Sequence, residues 1–147
     1  MGPDRRLIAG LVVATVVAGG CVGGSSLDFG TPVNLHVSTT PTTVGLDAPG
    51  WFADISAVYL CPDEPARLPD DAAKRVKWTP GSECEFMGSY PSSDGLKLSL
   101  PLSGLKPERR PAFDAAPDWY LVLMDLDGDR VGSAINSKFH APSPAPS

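Results

Sequence analysis

Two stretches of this chain alternate apolar and polar residues with a period of two, which is the pattern of a strand with one buried face. VNLHVST places Val33, Leu35 and Val37 on one side and Asn34, His36 and Ser38 on the other. LKLSLPL turns Leu96, Leu98, Leu100 and Leu102 inward and Lys97 and Ser99 outward, with Pro101 where pairing stops or an edge begins. Two further runs, ADISAVYLC (53–61) and WYLVLMDL (119–126), are apolar on both sides, as expected of central strands. RVKW (75–78) and CEFM (84–87) are short and belong near an edge, and RVGSAINSKF (130–139) follows a tight turn. Helical signals are confined to DDAAKR (70–75) and PAFDAA (111–116), each a turn or two long.

Seven short strands, with 15 glycines and 16 prolines to turn between them, predict an all-β fold. The expected architecture is an immunoglobulin-like antiparallel β-sandwich occupying residues 32–140. Its last two strands form an F–G hairpin across DLDGD, and residues 103–118 make the E–F crossover. Tyr120 then falls where such sandwiches often bury a tyrosine bonded back to the crossover. The closing APSPAPS (141–147) has no core-forming residue and is expected to be extended and mobile.

The beginning of the chain is of another kind. Leu7 to Gly20 is apolar and uncharged for 14 residues. As a helix it would reach about 21 Å, short of a hydrocarbon core of about 30 Å. Arg5 and Arg6 precede it and small residues end it, the order of a secretory signal. VAGGC (17–21) resembles a bacterial lipobox, with Ala18 in place of the commoner leucine. That resemblance implies a signal peptide at 1–20, with Cys21 the mature N-terminus carrying diacylglycerol (palmitate or a similar acyl chain). VGGSSLDFG, which follows Cys21, reads as a flexible tether within residues 21–31. Two acyl chains hold a protein stably on a bilayer where one does not. The expected location is therefore the extracytoplasmic face of the cell membrane, with either the general secretory or the twin-arginine route open. The Gly, Ala and Pro content and the style of the signal look actinobacterial.

Removing residues 1–20, which carry a net charge of +1, takes the chain from −5 to −6. An acidic body without a Lys/Arg stripe argues against nucleic acid, whose binding rests on phosphate neutralisation. With Cys21 lipidated, Cys61 and Cys84 remain as an even pair in an oxidising compartment, which predicts a structural disulfide. They lack the C-x-x-C spacing of a redox or metal site.

Other chemistry is poorly supported. Asp125, Asp127 and Asp129 alternate as in a calcium loop, but position six from Asp125 is Arg130 and position twelve is Asn136. An EF-hand needs glycine and glutamate there, whereas Asp-Gly between strands is a hairpin signal. His36, on the polar face of the first strand, and His140, just after the last, could at most share a two-ligand site. No serine sits in a G-x-S-x-G elbow and no glycine loop is placed to cradle phosphate. Trp51, Phe52, Trp78 and Trp119 sit at loop ends, where aromatics either anchor a partner or close the core.

The order of elements, with Cys61 and Cys84 bracketing a loop after a central strand and a final D-x-D-G hairpin, resembles the neocarzinostatin-like apoproteins. That resemblance, over about 33–139, implies a seven-stranded immunoglobulin-like sandwich with a ligand cleft. The expected role is a non-catalytic lipoprotein that binds or scaffolds another envelope component, with no cofactor. The alternative is a carrier of a small apolar ligand, marked by a cleft lined by Leu, Trp and Met. A calcium-dependent or enzymatic role through Asp125–Asp129 is the third and least supported.

Overall fold

A computed structural model describes residues 34–69 and 76–144. The expected signal and most of the tether, the DDAAKR segment and the last three residues of the tail lie outside them. The described chain forms seven strands: β1 (His36–Thr39), β2 (Thr43–Ala48), β3 (Ile55–Cys61), β4 (Glu85–Pro91), β5 (Leu96–Pro101), β6 (Asp118–Asp127) and β7 (Arg130–His140). One short helix, α1 (Arg110–Ala115), lies between β5 and β6, preceded by a single 3-10 turn at Leu102–Gly104.

The strands make two antiparallel sheets, β1-β2-β5 and β4-β3-β6-β7. In immunoglobulin lettering these are A-B-E and C′-C-F-G, the predicted sandwich. Its interior is built by the period-two rule. Val44, Leu46 and Ala48 of β2 and Leu96 and Leu100 of β5 face Val58, Leu60, Leu121 and Leu123 of β3 and β6, all at most 4% exposed. Leu98 is half-buried within the same row.

Three expectations need correction. β2 was not among the predicted strands, because Gly45 and Asp47 interrupt its apolar residues Val44, Leu46 and Ala48. Of RVKW the described residues 76–78 form no strand, and among them only Val76 pairs, in an isolated bridge to Val131. Asn34 and Leu35 lie outside β1, which starts at His36, and Val33 lies outside the described residues.

β3 and β6 are apolar on both sides because both faces of their sheet are covered. The residues pointing away from the sandwich interior, Ala57, Cys61, Val122, Met124, Val131 and Ala134, form a second buried layer with Leu68. Trp78 and Cys84 pack against it from the β3–β4 connection. Cys61 and Cys84 are joined in the predicted disulfide, closing a sequence separation of 23 residues. On the chain-entropy view such a loop closure stabilises by about 3 kcal/mol. Ala66 N donates to Pro80 O at 2.6 Å, cross-linking the two limbs of this flap.

Candidate functional site

The end of the sandwich formed by the β2–β3 loop is held by hydroxyl groups. Trp51 Nε1 donates to Ser56 Oγ at 2.6 Å. Ser92 Oγ donates to the carbonyl of Ala53 at 2.7 Å and lies 2.8 Å from Ser56 Oγ. An indole nitrogen only donates, and Ser92 has spent its single proton on Ala53. The direction follows: Trp51 to Ser56, Ser56 to Ser92, Ser92 to Ala53. Ser56 and Ser92 are fully buried and thereby satisfied, tying the loop before β3 to the turn after β4.

This chain of bonds sets an alternation in the loop. Trp51 and Ala53 are buried at 5% and 8% exposure, while Phe52, Asp54 and Ile55 point outward, with Phe52 70% exposed. Trp51, Trp119 and the half-buried Trp78 therefore close the two hydrophobic layers, and the side chain offered to solvent is Phe52. On the other side of the loop stands Gly95, with φ +108°, where a Cβ would come within 2.9 Å of Pro49 O. The β4–β5 turn thus lies directly against the β2–β3 loop.

The β6–β7 turn contains Gly128 at φ 64°, the left-handed conformation that a tight hairpin requires. Asp129 in that turn is paired with Lys77 at 3.1 Å, and Lys77 holds its carboxyl below the usual range by hydrogen bond and charge. Asp125 Oδ2 accepts from Ser133 Oγ at 3.4 Å. Among the described residues no three His, Cys, Asp or Glu side chains converge where they could hold a metal ion. His36 is exposed on β1, and His140 is drawn to a different partner. His140 Nδ1 lies 2.6 Å from Asp118 Oδ1, and Lys138 Nζ is 3.3 Å from the other oxygen. The His140 hydrogen bond, then Lys138, lowers the Asp118 carboxyl.

At the opposite end, the β5–β6 crossover and the start of the tail frame a groove of about 390 Å³. Phe113, Trp119 and Leu102 line its inner side, Arg110 and Asp114 its rim, and Ala141 to Pro144 one wall. Ala141 N is bonded to Pro117 O at 3.0 Å, which anchors the first residue of the tail. Arg110 Nε and Asp114 Oδ1 are paired at 2.9 Å across one helical turn. Beside them, Glu85 is buried at 4% exposure with Lys106 at 3.7 Å and Arg109 at 3.9 Å.

The site residues named from sequence fall apart in space as well as in kind. Cys61 and Cys84 are together; Cys21 lies outside the described residues. Phe52 was legible as an aromatic at a loop end, but its exposure depends on bonds from Ser56 and Ser92 that no local signal announces. No helix among the described residues is long and apolar enough to cross a membrane. Set against known protein families, characterised proteins and solved structures, the chain matches none.

Proposed function

We propose that the chain is a lipoprotein held on the extracytoplasmic face of the cell membrane by diacylglyceryl-Cys21. Its sandwich serves there as a non-catalytic module that binds or scaffolds another envelope component. The observation that carries this reading is the Cys61–Cys84 disulfide. The chain has three cysteines, so that bond leaves Cys21, at the end of VAGGC, as the one thiol outside it. A disulfide also fits an exported protein better than a cytosolic one. Cys21→Ser tests the anchor: the protein should leave the membrane fraction or accumulate unprocessed. Processed protein that stays membrane-bound overturns the proposal.

The groove beside α1 favours a second reading, a carrier of a small apolar ligand. The resemblance to neocarzinostatin-like proteins implies a cleft, and the groove has the aromatic lining such a ligand would need. The inter-sheet Leu and Trp residues expected to line that cleft are instead packed as core. A small molecule seen by native mass spectrometry of the purified protein, and displaced in Trp119→Phe or Phe113→Leu, would support the carrier reading over the first.

A further inference from the structure

Three large hydrophobic side chains are exposed among the described residues: Phe52, Ile55 and Phe86. Phe86 rests against the ring of Tyr59, 5.3 Å away. Phe52 and Ile55 stand together in sequence at the β2–β3 end, and Phe52 is the most exposed of the three. Presenting it forfeits the burial of a large apolar side chain. The loop is nevertheless rigidly built to do so, since Trp51 and Ala53 on either side are buried and clamped by Ser56 and Ser92. A preorganised aromatic loses little freedom on binding, which is how interface anchors work.

Carboxylates outnumber bases around this end: Asp47, Asp54, Asp94, Asp125, Asp127 and Asp129 stand against Lys77, Lys97 and Arg130, of which Arg130 is exposed and in no ion pair among the described residues. Asp47 is matched by Lys97 at 3.9 Å and Asp129 by Lys77 at 3.1 Å. The exposed carboxylates of Asp54, two residues from Phe52, and Asp94, beside Gly95, have no ion-pair partner among the described residues. The register His36↔Asp47 brings the start of β1, and with it the chain leading back to Cys21, to the same end as Phe52.

We propose that Phe52 and Ile55 dock into an apolar pocket of a protein partner, a pocket rimmed by lysine or arginine that meets Asp54 and Asp94. This deepens the binding-module reading and rests on it. The free carboxylates favour a basic protein surface over a bilayer, whose anionic headgroups they would repel. With Cys21 lipidated, the intervening 15 or so residues bring this end within about 50 Å of the membrane, so the partner lies at that surface.

The test places the photoreactive p-benzoylphenylalanine at position 52 of the full chain, in cells that make the protein, with the same group at exposed Ser99 as control. The expected result is a discrete protein adduct from position 52 and not from 99. That protein, purified, should bind the full chain about thirtyfold more weakly after Phe52→Ser. Asp54→Asn with Asp94→Asn should weaken it further and flatten its salt dependence, with unfolding temperature unchanged in all variants. Adducts with lipid alone, adducts equal at both positions, or binding indifferent to Phe52 or to the two aspartates overturns the proposal. Repeating the cross-link in Cys21→Ser separates the claims. An adduct that persists while processed protein remains membrane-bound refutes the lipid anchor and leaves the docking site standing.

Discussion

Trp119 on β6 donates its indole N–H to the carbonyl of Phe113 in α1, 2.9 Å away and shielded from solvent. Their rings meet edge to face at 4.8 Å, and Phe139 of β7 closes the stack at 6.3 Å from Trp119. This pair does for the β5–β6 crossover what Tyr120 was expected to do. Strand parity decides between them: Trp119 points into the sandwich, whereas Tyr120 points to the outer layer with Val122 and Met124.

Trp119→Phe keeps an aromatic ring and removes the donor, leaving a buried carbonyl short of one partner. It should cost about 1–3 kcal/mol in equilibrium urea unfolding. Tyr120→Phe should stay within about 0.5 kcal/mol of the parent. A larger loss from Tyr120→Phe than from Trp119→Phe would mean that the tyrosine secures the crossover.

Ser56→Ala strips Trp51 of its acceptor and breaks the relay to Ser92. A loss of about 1–3 kcal/mol is expected, with neither glycine nor proline effects to confuse it. Because Ser56 and Ser92 share one network, the double variant with Ser92→Ala should be clearly non-additive. Additive losses in a double-mutant cycle would show that the hydroxyls act separately.

Most of the fold was legible where alternation is unbroken. Leu96 to Leu100 and Trp119 to Leu126 are strands in both sequence and structure. β2 escaped because its outward positions are Gly45 and Asp47, and a glycine is read as a turn. Here the missing side chain answers a packing need instead, since a Cβ at Gly45 would collide with Ser38 Oγ on β1. The second hydrophobic layer was hidden for another reason. Leu68 and Trp78 come from an irregular, proline-rich connection, and burial by a flap leaves no periodic trace. The candidate docking end was half legible: the aromatics were visible, but which of Trp51 and Phe52 turns outward depends on Ser92, 36 residues beyond Ser56.

Removing the flap's covalent closure should loosen the outer layer before the sandwich. Cys61→Ala with Cys84→Ala should lower stability by about 3 kcal/mol, as loop-closure entropy predicts. Amide exchange should then quicken in the 62–84 connection and along β7 near Val131, which Val76 bridges at 2.9 Å. Exchange that quickens equally in β2 and β5 would contradict an independent flap.

Acid should weaken the fold through Asp118 and Asp129, whose carboxyls are both lowered on folding. Near pH 4, the ordinary carboxylate range, the unfolded chain binds more protons than the folded one at these sites, so stability rises with pH. The contribution is complete above the unfolded value and is lost as pH falls through the lowered folded values. Asp118→Asn and Lys77→Met should each flatten the acid limb of a stability–pH curve. A slope unchanged in both variants would assign acid sensitivity to other groups.

The lipid anchor is tested most directly by the intact mass of the protein extracted from the membranes of cells that make it. The predicted species begins at Cys21 and carries the added mass of a diacylglyceryl group on that residue, with Cys61 and Cys84 oxidised. A chain that begins elsewhere, or one that begins at Cys21 with its thiol unmodified, would contradict the account.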